Sequence, residues 1–228
     1  MMNKILTSVM AVLCAGVLAL AQESGEAGSK NSAPAIGLGA RLAVGYGMLW
    51  GLEDDWSGGE NDDNPGGIDL ELGAVGRYEI SSLIHFTPEL LFRYANYSQD
   101  DDLGEREFEQ MNLEVPLLVR ANATPKIYAY VGPKLGVNLK SDVSLKAVVK
   151  NKGTSGSTTV SVPEKVEQST FGFGMVVGAG YYVLDKLGVD FRVGLGLSEL
   201  YPDSKGRFVD LGGAKDLTFK LGANYWVF

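Results

Sequence analysis

Histidine and cysteine are nearly missing from this chain: one of each in 228 residues, His85 and Cys14. With a single histidine, Ser–His or Asp–His catalysis would have to run through His85. His85 sits beside the turn at Ser81-Ser82, and we read it as structural. One cysteine excludes an internal disulfide. Leu13 stands before Cys14, where a lipoprotein site would need a small residue. Positive charge is also scarce: 20 Lys and Arg against 28 Asp and Glu give a net charge of −8 and a pI near 4.8. That balance argues against a nucleic-acid partner, whose phosphates need a basic surface. No apolar run is long enough for a helical membrane span, and the longest, a stretch at the start, is short for one. A mean hydropathy of +0.03 still leaves enough apolar residues for a large buried or lipid-facing surface.

That initial stretch, Met1 to Ala21, reads as a secretory signal peptide. Lys4 provides the positive end, Ile5 to Leu20 the apolar segment, and Ala19-Leu20-Ala21 a small-x-small cleavage site. It carries Cys14 away with it, so no thiol chemistry is expected of the mature protein. Residues 22–34 are polar and rich in Gly and Ser, as in a flexible periplasmic linker.

From residue 35 to residue 228 the pattern is alternation, the mark of β-strands with two unlike faces. Ile36, Leu38, Ala40, Leu42, Val44, Tyr46 and Met48 alternate with Gly37, Gly39, Arg41, Ala43, Gly45 and Gly47. The same alternation recurs over 68–80, 84–97, 108–122, 127–139, 170–183, 187–197 and 217–228, predicting eight strands in one domain. Short turns near Ser81, Thr124 and Asp185 alternate with long connections at 51–67, 98–107, 140–169 and 198–216. Each strand reaches the nine to eleven residues that a tilted membrane crossing requires. An even number of strands with this asymmetry predicts an all-β, antiparallel, up-and-down transmembrane barrel with both termini periplasmic. Pro88, Pro116 and Pro133 lack a ladder donor and are expected at bulges or near the periplasmic rim.

The alternative is a soluble, extracytoplasmic ligand-binding barrel of lipocalin type, with the same period but its large apolar residues inside. Against it stands the composition of the second face: glycine plus charges of both signs. Arg41, Glu71, Arg77, Glu89, Arg93, Glu114, Arg120, Lys134, Asp190, Arg192 and Lys220 suit a narrow lumen where ions pair. Such a lumen is either a salt-bridged plug, which we favour, or a narrow ion path. Aromatics near strand ends, Trp50, Tyr78, Tyr94, Tyr181 and Tyr225, match interfacial girdles.

The last strand adds a resemblance. Lys220-x-Gly222-x-x-Tyr225-x-Val227-Phe228 is similar to the signal that the barrel-assembly machinery reads on outer-membrane proteins. Phe86 to Phe92, Met111 to Val119, Ile127 to Gly136 and Phe173 to Gly180 resemble successive strands of the PorT-type outer-membrane β-barrel family, with an architecture like that of OmpA and OmpX. The resemblance implies residence in the Gram-negative outer membrane and contact with its lipid; no catalysis and no cofactor are expected. Barrel enzymes similar to lipid A deacylases or omptin proteases carry a histidine at the outer rim, and His85 is at the other end.

Remaining candidates lie in the connections. The 51–67 connection holds Asp54, Asp55, Asp62 and Asp63, carboxylates of the kind Ca²⁺ prefers. Their spacing is not that of an EF-hand, so solvated acidic loops are the simpler reading. Residues 140–169 contain two more alternating runs, expected to form a hairpin above the membrane that grips a partner by strand addition or is merely surface. The expected function is envelope structure or surface interaction through the extracellular loops. Alternatives are a small porin or solute channel, and an accessory component of a secretion complex with an extracellular or envelope protein partner.

Overall fold

Alternation carried through to the fold. The computed structural model describes residues 36–51, 64–101, 104–150, 157–164, 169–200 and 213–228. They form β1 (Ile36–Trp50), β2 (Gly66–Glu79), β3 (Ile84–Asp101), β4 (Gly104–Asn122), β5 (Ile127–Lys150), β6 (Ser157–Glu164), β7 (Phe171–Leu184), β8 (Leu187–Gly196) and β9 (Lys215–Trp226). The signal peptide, the linker and the four acidic residues Asp54, Asp55, Asp62 and Asp63 lie outside the described residues.

Eight of the nine strands run β4-β3-β2-β1-β9-β8-β7-β5, every pair antiparallel, and a β4–β5 pairing closes the ring. Closure removes the free edges that an open sheet would leave unsatisfied in lipid. β6 is outside the ring and pairs with β5 alone, from Val143↔Glu164 to Lys150↔Ser157. It is the second half of the hairpin expected in 140–169. The 98–107 connection is not a loop: β3 and β4 continue pairing to Asp101↔Gly104. Its charges suggested a loop, but a ladder standing above the apolar band tolerates polar residues on both faces.

Polar side chains seal the short turns. Ser81 Oγ accepts from the Ile84 amide at 3.1 Å, and Thr124 Oγ1 from the Ile127 amide at 2.9 Å. Ile36 and Trp226 lie at this same end, beside Tyr78 and Leu187.

Sidedness follows the alternation. Leu221 is 65% exposed and Leu42 61%, whereas their neighbours Lys220 and Arg41 are each 1% exposed. Large apolar residues therefore cover the outside and charged ones fill the inside. Tyr78, Tyr181 and Tyr225 stand outward at the short-turn rim. The interior is also more apolar than glycine and ions alone. Leu49, Val75, Leu91, Phe108, Leu118, Val176 and Trp226 are buried there too.

The three strand prolines occupy neither bulges nor the rim. Pro88 pairs with Leu117, and Pro116 with Lys134 beside Pro133, so they form a row across β3, β4 and β5. The ladder is interrupted next to them, as missing donors require. The register shifts lie elsewhere, at Met111/Asn112 and Tyr182/Leu184.

Candidate functional site

Among the described residues, buried charged side chains converge in the lumen. Small residues opposite large ones make this possible. A Cβ at Gly178 would meet Tyr130 at 2.5 Å, and one at Gly222 would meet Arg41 at 2.6 Å. β7 and β9 thus withdraw where β5 and β1 project.

Near the long-loop end, Arg93 on β3 organises the first cluster. Its Nε donates to Asp69 at 2.8 Å, Nη1 to Asp216 at 3.0 Å and Glu114 at 3.3 Å, and Nη2 to the Tyr97 hydroxyl at 2.6 Å. Lys134 Nζ lies 3.0 Å from Glu114 and 3.6 Å from Asp216. Lys220 links this cluster to the next, 2.8 Å from Asp69 and hydrogen-bonded to Glu71.

Mid-lumen, Arg41 Nη1 donates to Asp190 at 2.7 Å and Asn224 at 3.2 Å, and its Nε to Glu71 at 3.4 Å. The Asn224 amide also donates to Asp190. Arg192 holds Glu89 with two parallel hydrogen bonds, at 2.8 and 2.9 Å, and its Nε donates to the Tyr130 hydroxyl at 3.2 Å. Tyr130 in turn donates to Asp190 at 2.9 Å. Buried ions are tolerable only with such pairing, since each loses its hydration.

Two of the eleven predicted lumen charges stand apart. Arg120 is buried, yet it stacks on rings: its guanidinium carbon is 3.3 Å from the centroid of Tyr128, 5.0 Å from Tyr182 and 5.8 Å from Trp226. Its Nε and Nη2 have no hydrogen-bond partner. Arg77, half-buried at the short-turn rim, lies 4.8 Å over Trp226 and contacts the Tyr182 hydroxyl at 3.5 Å. The ion-paired interior thus ends in a cation–aromatic floor, because Tyr128, Tyr182 and Trp226 project inward there.

Asp69, Asp216, Tyr97 and Tyr130 join the network although they were not among the predicted site residues. Asp69 and Tyr130 were on the inward face by alternation. Asp216 lies one residue before the strand predicted from 217, and Tyr97 at the end of the predicted third strand.

His85 is buried opposite Arg120 in the ladder. Of the terminal motif, Lys220 and Gly222 face the lumen, while Tyr225, Val227 and Phe228 are exposed. Alternation alone would put Phe228 on the inward face with Trp226, but Phe228 lies past the end of β9 and is 37% exposed, while Trp226 packs inside.

Between the packed groups remain cavities of about 40 Å³, beside Arg93, Glu114 and Lys134, and about 10 Å³, beside Thr87, Arg120 and Trp226. Neither is a passage.

A closed antiparallel barrel, apolar outside and ion-paired within, defines a transmembrane β-barrel. The chain belongs to the family described as outer membrane protein beta-barrel domain, whose model matches residues 21–201. Solved structures similar to it include Neisserial surface protein A, 10% identical over 82% of this chain and 96% of that one, TM-score 0.47. Others are Ail of Yersinia pestis, 16% identical over 83% and 98%, TM-score 0.39, and OprG from Pseudomonas aeruginosa, 11% identical over 84% and 94%, TM-score 0.42. No curated protein matches the chain.

Proposed function

We propose that this outer-membrane barrel is a non-catalytic envelope protein. Its lumen is plugged, and its work is done by the surface that stands above the membrane at the long-loop end. Both termini then face the periplasm, on the side of the short turns. The observation that carries this reading is the ion network: cations and carboxylates that would serve a pore or a reaction are committed to one another across the lumen. The β4–β5–β6 ladder favours surface interaction over a purely structural role. It extends β5 to 24 residues and ends in a strand paired on one side only. An extended polypeptide of a partner protein is what such an edge receives. Within the family, a PorT-type barrel and an accessory place in a secretion complex are the finer readings. The terminal motif around Lys220, Gly222, Tyr225 and Phe228 would guide assembly.

Reconstitution of the purified chain in planar bilayers tests the plug. We expect no discrete conductance steps of porin size. Stable steps from the monomer would instead establish a channel. Crosslinking in intact outer membranes, through a photoreactive residue placed in β6, tests the partner role; labelling of lipid alone would refute it.

A further inference from the structure

We propose that the outer wall of the barrel holds one anionic phospholipid, with an acyl chain in a trough across β7, β8, β9 and β1 and the headgroup at Lys126. The trough spans about 930 Å³, where one water in the liquid takes ~30 Å³. Its floor is the backbone of Gly180, Asp190, Gly222 and Ala43, which pair in one row across the four strands on the inward phase of the alternation. The outward rows on either side are its banks. Tyr181, Val189, Ala223 and Leu42 form the bank nearer the short turns, and Ala179, Phe191, Leu221 and Val44 the other. Ala179 and Ala223 keep the trough wide where the exposed Phe191 and Leu221 stand beside it. Strands in a barrel tilt, so a row at right angles to them climbs the wall. This one starts at the short-turn rim, where Ile127 opens β5 and pairs with Tyr181. It ends at Leu70, nearer the long-loop end of β2. A long apolar path that enters the hydrocarbon from its surface has the shape of an acyl chain.

The charge at the lower end identifies the occupant. Lys126 stands next to Ile127, with Nζ 5.9 Å from the centroid of the Tyr181 ring. Attraction to that ring keeps the ammonium on the outer wall. The backbone there is fixed as well: the Lys126 N–H donates to Thr124 Oγ1 at 3.3 Å, and its carbonyl accepts from the Tyr182 N–H at 2.8 Å. No carboxylate among the described residues pairs with Lys126. Lys186, on the next short turn, already donates to the Val227 carbonyl at 2.9 Å. A fixed cation at the mouth of an apolar trough suits a lipid phosphate. A net negative headgroup suits it better than a zwitterionic one, which carries its own ammonium. A second copy of this chain would offer the trough only a convex wall. The inference needs the barrel's seat in lipid and holds whether or not the lumen conducts.

The test uses the mature chain, folded in detergent and stripped of lipid. Native mass spectrometry with equimolar phosphatidylglycerol and phosphatidylethanolamine should show one phosphatidylglycerol retained in preference. Lys126→Gln should cut that retention about fivefold, the effect of one lysine at an anionic lipid surface. Ala223→Phe fills the trough and should lower retention of both lipids. Should this variant not fold, Ala179→Leu makes the same test from the other bank. Equal retention of the two lipids, or a preference that survives Lys126→Gln, would overturn the proposal. Phosphatidylglycerol held equally well by the filled variant would also overturn it, since charge at the rim would then suffice. A dimer that forms without lipid and is lost in Ala223→Phe would give the trough to a second copy instead.

Discussion

Arg192 on β8 and Glu89 on β3 meet across the barrel, not along its wall: the guanidinium Nη1 and Nη2 reach the two carboxylate oxygens at 2.8 and 2.9 Å. No ladder joins β8 to β3. The pair is a strut through the lumen, 103 residues apart in sequence. Such a bond is made only when the ring is closed.

Removing half of the strut should be costly. Glu89→Ala leaves Arg192 charged and buried, with an expected loss of about 3–5 kcal/mol. Glu89→Leu combined with Arg192→Met should recover most of that, because an apolar pair needs no hydration replaced. Urea unfolding in lipid vesicles, followed by tryptophan fluorescence, measures both. A double variant as unstable as the single one would contradict the strut.

The outer face should resist charge. Val177 and Leu221 are 53% and 65% exposed on the middle of β7 and β9. Val177→Arg should cost about 2–4 kcal/mol at the bilayer midplane. Arginine at Lys220, one position from Leu221 but turned inward, should cost much less. Vesicle unfolding compares the two, and equal losses would contradict the assigned sidedness.

Filling a recess in the wall should strain it. Gly178→Ala puts a methyl group 2.5 Å from the Tyr130 ring and 2.7 Å from the Phe191 carbonyl. We expect about 1–3 kcal/mol of destabilisation, relieved in part by Tyr130→Phe. The mobility shift between unheated and heated samples on cold gels gives a simple readout. An alanine variant as heat-resistant as the wild type would mean the wall yields there.

β6 should be dispensable for the barrel. It pairs only with the far end of β5, and the β4–β5 ladder closes the ring without it. Replacing residues 157–164 with a Gly-Ser segment of the same length should leave the unfolding midpoint unchanged and remove any partner captured by crosslinking. Loss of heat resistance in that variant would show that the hairpin braces the ring.

Much of this structure could be read from residues alone, because a period of two states both the element and its faces. Arg41 beside Leu42 and Lys220 beside Leu221 leave no choice of which side meets lipid. Other features were not legible. Alternation turns Leu118 and Val176 inward and Leu117 and Val177 outward, but it does not say that apolar side chains would pack among the ions. Arg120 and Arg192 occupy equivalent inward places, yet one meets rings and the other a carboxylate. That difference depends on which strands face each other across the lumen, and partners such as Arg41 and Asp190 lie 149 residues apart. Local pattern carries no record of such distances. Likewise 98–107 looked like a loop since its charges spoil the alternation, although the ladder holds.

β9 brings Lys220, Asp216 and Asn224 to carboxylates and guanidiniums already set in place by other strands. A slip of one residue would turn its charges towards lipid. A slip of two keeps the faces but puts Thr218 or Gly222 where Lys220 belongs, so Asp69 and Glu71 would lose the ammonium that bridges them. The seam is therefore keyed by charge as well as by shape: only the native offset seats an ammonium between those two carboxylates, so a misthreaded ring would close without that bond.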